Sequence, residues 1–506
     1  MTESVSSMDG RLRSPPFLVC LLCLLFGPLA AQAVPPAHQQ WFTVLLDGRK
    51  IGSFESRRDV HGDEVTTTQT LDLSLERLGV RVALRNEESS TETVDGKPLS
   101  FRSASRFSGV ETVIEGRVHD DIIELTTLGN GEQHQRQIPW PKNALLTEGQ
   151  RLAGMHAGLA AGTRYDVLAF QPSSLDTTMI TSVVGTAEDI DLPQDRMHLF
   201  PVEQTIESAG IPMKTHEWID AEQTVHKLTL PVMGVELTIL ACDHACATAP
   251  NQGTDVFERT LMHSPRPLMI GELGGAMRYT LIPRESGMKL VLPETGEQRV
   301  HYKAGEVLVT VLPIPHPGAE SKPGPDDYTP NDWLQSQAPE VVRLAKKAVG
   351  NATSPHERMH NIETFVRGYI RTKSLNVGYA SALEVARKPE GDCTEHAVLV
   401  AALGRTFSIA TRVVDGFAYA SGFGGQKQVF VPHAWAQAFV DGRWESFDAA
   451  LPGFDTGHIA LWIGNGDPWR FYSGLDLLGR LDMRQAESMT EISPQAHRSG
   501  RDPHRR

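Results

Sequence analysis

Hydrophobic and polar positions alternate along much of the chain between about 41 and 314, which is the period of two expected for half-buried β-strands. The dipeptides Asp47-Gly48, Asp95-Gly96 and Asn130-Gly131 separate such runs, and both residues of each pair tolerate the positive φ of tight hairpins. One short helical segment is predicted, near 142–159. The pattern therefore predicts a large β-rich region in the N-terminal part of the chain.

The periodicity changes after a segment at 315–330, whose prolines and glycines cannot form a regular element. Beyond it, apolar residues recur at helical spacing after Pro339 and again after Ser354, and a third helix-compatible run begins at Asp392. Strands are then predicted at 411–419, 429–440 and 444–448. The whole chain is therefore predicted to be an α+β protein, with strands first and a mixed domain second.

These patterns divide the chain into consecutive parts. A small β unit at 266–314 is expected either to stand alone or to belong to the domain before it. A total of 506 residues exceeds what one hydrophobic core usually organises, so several domains are expected. The predicted parts are a signal peptide at 1–33, a β-rich domain at 34–265, the small β unit, a linker at 315–330, a mixed domain at 331–484 and a disordered polar tail at 485–506.

The first residues are typical of a secretory signal. Arg11 and Arg13 precede an apolar run at 17–29, and the small residues at 31–33 fit a cleavage site; Met8 is an alternative start. The apolar run is short for a membrane-spanning helix. We therefore expect an exported mature protein, periplasmic or secreted, without an integral membrane span, and an uncleaved signal anchor is the alternative.

The charge balance argues against one class of partner. Lys and Arg number 48 against 62 Asp and Glu, which gives a net charge of −14, and no basic run interrupts this pattern. Such a surface repels phosphate backbones, so nucleic acid is not an expected partner. The motifs imply no cofactor, and the sequence leaves the oligomeric state open.

Cysteine usage singles out one thiol. Cleavage of the signal would leave Cys242, Cys246 and Cys393. The first two could form a local disulfide, remain reduced, or bind zinc together with His244. Cys393 is then the odd thiol of an exported chain, which suggests a chemical role, although a small buried hydrophobic residue is the simpler reading.

The surroundings of Cys393 predict an activated thiol. Asp392 can cap the helix that follows it, and Glu395 is placed three residues later as the partner in a capping box. Cys393 then lies in the first helical turn, where backbone N–H groups and the positive end of the helix dipole favour the thiolate. Its own backbone N–H could also help to bind an oxyanion.

A base and an orienting carboxylate follow on two adjacent strands. If Asp441-Gly442 makes a two-residue turn, Val440 pairs with Arg443, and His433 and Asp448 become diagonal neighbours on one sheet face. Diagonal neighbours lie about 7–8 Å apart at the backbone, within reach of an imidazole and a carboxylate. Asp448 could then fix the tautomer of His433 and leave its other nitrogen for Cys393.

These residues carry a family resemblance. The segments 391–396, 401–405 and 412–416 resemble the nucleophile helix and first strand of the transglutaminase-like superfamily. Likewise, 433–435 and 444–448 resemble the segments that bear the family's His and Asp. The resemblance implies a papain-like core, in which the cysteine helix packs on an antiparallel sheet, and a triad of Cys393, His433 and Asp448.

The resemblance also implies a reaction, acyl transfer from an amide through a thioester. With water as acceptor the protein would be a peptidase or amidase, the favoured reading, and with an amine it would be a transglutaminase; the substrate would be a protein or peptide of the cell envelope. Two departures are local: Ser408 to Thr411 replaces the usual Gly-Ile-Pro-like turn, and the extra oxyanion donor is unassigned, with Asn376 and Tyr379 as candidates.

A second string, His356-Glu357-x-x-His360, matches a zinc-peptidase motif. Ser354 and Glu357 form a predicted capping box, so Glu357 already has a structural role, and the His pair is expected to face outward. Glu384 is the only third ligand that can be argued, so no metal site is predicted. The remaining alternative is a catalytically silent protein whose groove binds an extended peptide.

Overall fold

The computed structural model describes most of the chain between His38 and Met489. The predicted signal peptide, the Asn130-Gly131 turn, both oxyanion candidates and most of the predicted tail lie outside the described residues. The described residues are 38–77, 80–107, 110–129, 132–208, 211–221, 224–232, 234–254, 257–284, 288, 290–316, 320–373, 380–466 and 477–489.

The N-terminal region is one sheet of sixteen strands, which confirms the expected β-rich region. Its order runs from β8 back to β1, then from β16 down to β9, with β12 paired to β13 outside this path. The strands are β1 (His38–Leu46), β2 (Arg49–His61), β3 (Glu64–Arg77), β4 (Val80–Thr93), β5 (Pro98–Phe107), β6 (Val110–His119), β7 (Ile122–Gly129), β8 (Glu132–Pro139), β9 (Ala144–Leu145), β10 (Arg164–Gln171), β11 (Asp176–Val184), β12 (Glu188–Asp191), β13 (Arg196–Ser208), β14 (Ile211–Ile219), β15 (Val225–Val232) and β16 (Val235–Cys242).

This sheet curls so that its two ends approach one another. Phe101 of β5, Ile123 of β7 and Phe170 of β10 belong to one buried apolar cluster, although β7 and β10 lie near opposite ends of the strand order. The predicted helix of this region is α1 (Thr147–Ala157). At the first predicted hairpin, Asp47 and Gly48 have φ of 52° and 73°, the positive values that a tight turn requires.

The C-terminal domain joins helices to a five-stranded sheet, as the α+β expectation requires. The sheet order is β17-β24-β23-β26, with β25 also paired to β24, and helices α5 to α8 share one apolar core with β24. The elements are α5 (Pro339–Val349), α6 (Pro355–Tyr369), α7 (Ala382–Arg387), α8 (Cys393–Arg405), β17 (Met262–His263), β21 (Thr372–Lys373), β22 (Glu390–Gly391), β23 (Thr411–Phe423), β24 (Gln426–Val440), β25 (Arg443–Phe447) and β26 (His458–Gly464).

The small β unit packs on the C-terminal sheet. Glu297 accepts the backbone N–H of Ser446 at 2.6 Å, and Gln298 makes two hydrogen bonds with the backbone of Ala460, at 2.8 and 2.9 Å. Its sheet has the order β19-β20-β18-β27, from β18 (Met277–Pro283), β19 (Gln298–Lys303), β20 (Glu306–Val311) and β27 (Leu481–Ser488). The last strand crosses the boundary predicted at 484, so the prediction of disorder from 485 begins too early; antiparallel pairing with β18 orders residues up to Ser488.

Cys242 and Cys246 form a disulfide, which resolves the alternatives that the sequence left open. Cys246 lies within the short helix α2 (His244–Thr248). The other short helices are α3 (Phe257–Thr260) and α4 (Ile270–Leu273). Within the described ranges, no helix combines the length and the apolar character needed to cross a membrane.

Candidate active site

Cys393 is the first residue of helix α8, as the capping pattern predicts. Asp392 accepts hydrogen bonds from the backbone N–H of Thr394 at 3.1 Å and from its hydroxyl at 2.9 Å. In return, Glu395 accepts the backbone N–H of Asp392 at 2.8 Å. The capping box therefore holds the start of α8, and with it the partly buried thiol, in a defined position.

Gly391 is required at the entry to this helix. Its φ is +151°, and a Cβ added there would lie 2.3 Å from Cγ of Glu395. Glu395 is fully buried and its second oxygen accepts the backbone N–H of Ala380 at 2.8 Å, while burial raises the pKa of its carboxyl well above the usual range. This buried carboxyl thus connects the segment before α7 to the turn that carries Cys393.

The hairpin between β24 and β25 has the predicted register. Val440 pairs with Arg443, and Asp441 and Gly442 have φ of 50° and 79°. That register brings His433 and Asp448 together: Nε2 of His433 donates to Oδ2 of Asp448 at 2.8 Å. Nδ1 is consequently the ring nitrogen that could take a proton from a thiol.

Both carboxylate oxygens of Asp448 accept hydrogen bonds, which stabilise its ionised form. Its Oδ1 accepts the backbone N–H groups of Ala450 at 2.8 Å and Leu451 at 3.2 Å. Burial alone would raise the pKa of Asp448, but the charges and hydrogen bonds of His433 and His458 lower it well below the usual range. The carboxylate is therefore ionised across the physiological pH range and can orient an imidazole.

His458 is the site residue that sequence reasoning missed. Its Nε2 donates to Oδ2 of Asp448 at 3.1 Å and its Nδ1 to Oδ1 of Asp455 at 3.1 Å. Burial lowers the pKa of His458, but these two carboxylates raise it to about 9. A buried imidazolium thus shares Asp448 with His433. The sequence contains little indication of this role. His458 is the first residue of β26, and no local pattern predicted that β26 pairs with β23.

The structure places the three residues of the predicted triad on α8, on β24 and directly after β25. His433 and Asp448 are in direct contact, whereas Cys393 lies on α8, which packs against β24, the strand of His433. The face of β24 toward the helices carries the small residues Ala434 and Ala436, which allow α8 to approach closely. The helix that carries Cys393 and the strand that carries His433 are therefore in direct contact.

The residues of the zinc-peptidase motif do not take the roles that the motif suggests. Glu357 makes the predicted capping box with Ser354, so it is not available as a base. His356 and His360 remain partly exposed, but they converge on Glu445 of β25. Glu384, the one third ligand that the sequence allowed, caps α7 instead, and the structure brings Glu445 to the histidines.

Comparisons with known proteins bear on the C-terminal domain. Residues 342–449 match the family model of the transglutaminase-like superfamily, whereas no curated protein matches the chain. A proposed cysteine protease from Cytophaga hutchinsonii is similar over 42% of this chain and 86% of its own, at 16% identity and a TM-score of 0.27.

Two other solved structures are similar over different shares of the chain. A β-barrel-like domain of unknown function from Brucella abortus covers 41% of this chain and 96% of its own, at 12% identity and a TM-score of 0.34. A proposed protease from Parabacteroides distasonis covers 71% of this chain and 69% of its own, at 10% identity and a TM-score of 0.19. Such low TM-scores give no basis for transferring a function.

Proposed function

We propose that this protein is a papain-like thiol enzyme that transfers the acyl group of an amide through Cys393, His433 and Asp448. The match of residues 342–449 to the transglutaminase-like superfamily supports this proposal. The observation that carries the proposal is the 2.8 Å hydrogen bond between His433 and Asp448. His433 lies on β24, the strand against which the helix of Cys393 packs. The substrate is a protein or peptide of the cell envelope, reached by export of the chain.

The reaction follows from the role of each group. The Cys393 thiolate attacks the carbonyl carbon, and Nδ1 of His433 holds the proton that the thiol has lost. That proton passes to the leaving amine as the C–N bond breaks and a thioester forms. Water, activated by the same nitrogen, then attacks the thioester and releases the acid; an amine in its place would give transamidation. Hydrolysis is the simpler outcome, and the protein then acts as a peptidase or amidase.

The start of α8 contributes electrostatic stabilisation. The backbone N–H groups of its first turn have no partner within the helix, and the helix dipole places partial positive charge there. Cys393 lies in this turn, so both its thiolate and the oxyanion of the tetrahedral intermediate would form near that charge.

The test is the pH dependence of Cys393 alkylation by iodoacetamide, followed by peptide mass spectrometry. We expect alkylation to plateau well below the pKa of a free cysteine, about 8.5, and His433→Ala to abolish that plateau. A matched control exists, because His198 donates to Asp189 at 2.9 Å in another, exposed His–Asp pair. His198→Ala should leave the alkylation profile unchanged.

The opposite result has a definite meaning. If Cys393 titrates like a free cysteine and its alkylation profile is the same in the His433→Ala variant, the thiol enzyme proposal fails. A catalytically silent peptide-binding domain then becomes the better interpretation. If the thiol is activated, incubation with a fluorescent primary amine and a protein acceptor separates the two reactions. Label incorporation that depends on Cys393 indicates transamidation, and cleavage without incorporation indicates hydrolysis.

A further inference from the structure

Two histidines and a glutamate meet on the outer side of helix α6. His356 and His360 are four residues apart and therefore lie one turn apart on the same face. Nε2 of His356 is 3.2 Å from Oε1 of Glu445, and Nε2 of His360 is 4.0 Å from the same oxygen. The two imidazole centroids are 4.5 Å apart, so three potential ligand atoms surround one small volume.

We propose that His356, His360 and Glu445 form a binding site for one divalent transition-metal ion with the ligand preference of zinc. Their ligand atoms all lie within 4.8 Å of one another. Zinc bonds to imidazole and carboxylate ligands are about 2.0–2.2 Å long, which places the ligand atoms of a tetrahedral site about 3.3 Å apart. The 3.2 Å pair already fits this spacing. Nε2 of His360, at 4.0 Å from Oε1 of Glu445, would have to approach this oxygen by less than about 1 Å.

A second carboxylate lies where a metal site needs one. Oε2 of Glu363 is 3.6 Å from Nδ1 of His360, the ring nitrogen that would not bind the ion. Metal-ligating histidines usually donate this other N–H to a carboxylate, which fixes the tautomer and orients the ring. The ring of Phe447 packs at 5.3 Å from that of His360 and limits its rotation. The site therefore has three candidate ligands, and Glu363 lies beside His360 at a distance from which a short movement would form this hydrogen bond.

The site is open to solvent on one side. The side chains of His356 and His360 are 35% and 52% exposed, whereas that of Glu445 is 15% exposed. An ion can therefore enter, and water can fill the fourth position. Glu357, the glutamate of the sequence motif, accepts backbone N–H groups of Thr353 and Ser354 and belongs to the cap instead. The proposed ion thus connects α6 to β25 and does not make the protein a zinc peptidase.

The position also links the ion to the candidate active site. Oε1 of Glu363 accepts the backbone N–H of Asp448 at 3.0 Å, while its other oxygen faces His360. An ion that orders His360 and Glu363 would therefore also order the backbone of Asp448. We expect zinc to raise the thermal unfolding temperature of the domain, because binding to the folded state alone stabilises it.

The test uses metal-free full-length mature protein with a tag that lacks histidine. The double variant Cys393→Ala/His433→Ala serves as the background, so that neither the thiol nor the cluster of His433, Asp448 and His458 can supply a competing site. Calorimetric titration with zinc chloride should show one ion per chain. His360→Ala and Glu445→Gln should each weaken binding by about tenfold or more, because each removes one of three protein ligands. Glu363→Gln should weaken it by roughly 10–100-fold, the usual effect of removing a supporting carboxylate.

Glu357→Gln is the matched control, because it alters the same motif one residue from a proposed ligand. It should leave the zinc affinity unchanged. Circular dichroism without metal checks that each variant is folded, and His356→Gln, a shape-conserving change, replaces any variant that is not. Absence of zinc binding by the Cys393→Ala/His433→Ala background protein would overturn the proposal. Binding by the His360→Ala and Glu445→Gln variants as tight as that of the background protein would overturn it as well.

Discussion

His433 and His458 donate to the same oxygen, Oδ2 of Asp448, at 2.8 and 3.1 Å. One carboxylate thus serves both the imidazole proposed as the base and a buried imidazolium. The other ring nitrogen of His458, Nδ1, donates to Asp455, so two carboxylates and two histidines form one network. The ionised Asp448 therefore orients His433 by a hydrogen bond while its negative charge is shared between the two rings.

The network predicts a loss of stability at alkaline pH. The folded pKa of His458 is about 9, above the 6.5 of the unfolded chain, so its stabilising effect is complete below about pH 6.5 and is lost as pH rises through 9. We expect the free energy of unfolding of the C-terminal domain to fall by roughly 2–3 kcal/mol between pH 6.5 and pH 9, measured by urea denaturation. His458→Gln should flatten this dependence, and an unchanged slope would contradict the assignment.

Asp448→Asn should disturb the orientation of the His433 ring without unfolding the protein. The amide keeps the size of the side chain but offers an N–H where His433 needs an acceptor, which favours the wrong tautomer. We expect turnover to fall by about 10²–10⁴-fold while the protein remains folded. Asp455→Asn is the control, because Asp455 contacts His458 and the structure gives it no contact with His433. Equal losses in the two variants would show that the effect is structural.

Gly391→Ala should destabilise the domain strongly. The substitution imposes an unfavourable φ of +151° and places a methyl group 2.3 Å from the buried side chain of Glu395. We expect a loss of about 2–4 kcal/mol in the free energy of unfolding. Gly305→Ala is a suitable comparison, since Gly305 also has positive φ, +77°, but its added Cβ meets nothing within 4 Å. Its cost should be smaller, about 1 kcal/mol, from backbone strain alone.

Reduction of the disulfide between Cys242 and Cys246 should have a modest effect. The bond closes a very short loop, so in the chain-entropy model it contributes about 2 kcal/mol to the N-terminal region. We expect a small decrease in the thermal unfolding temperature of that region under mild reductant. Alkylation of Cys393 should keep its pH profile, because the disulfide joins β16 to α2, whereas Cys393 lies on α8 of the C-terminal domain. A changed profile would indicate coupling between the two regions.

Local patterns predicted much of the candidate site. The capping box of Asp392 and Glu395 needs only a spacing of three residues, and it places Cys393 in a first helical turn. The Asp441-Gly442 turn determines the pairing of its two strands, which brings His433 to Asp448. Both inferences depend on geometry within a few residues of a turn or a helix end, and such geometry is carried by the sequence itself.

Contacts between distant segments were decided by the tertiary structure. Glu445 reaches His356 across 89 residues of sequence, and His458 reaches Asp448 only because β26 pairs with β23. The pKa of about 9 at His458 depends on how deeply packing buries it between two carboxylates. Strand order, burial and side-chain approach arise from the packing of whole sheets and helices, so no short stretch of this sequence encodes them, whereas caps, turns and periodicity follow from neighbouring residues alone.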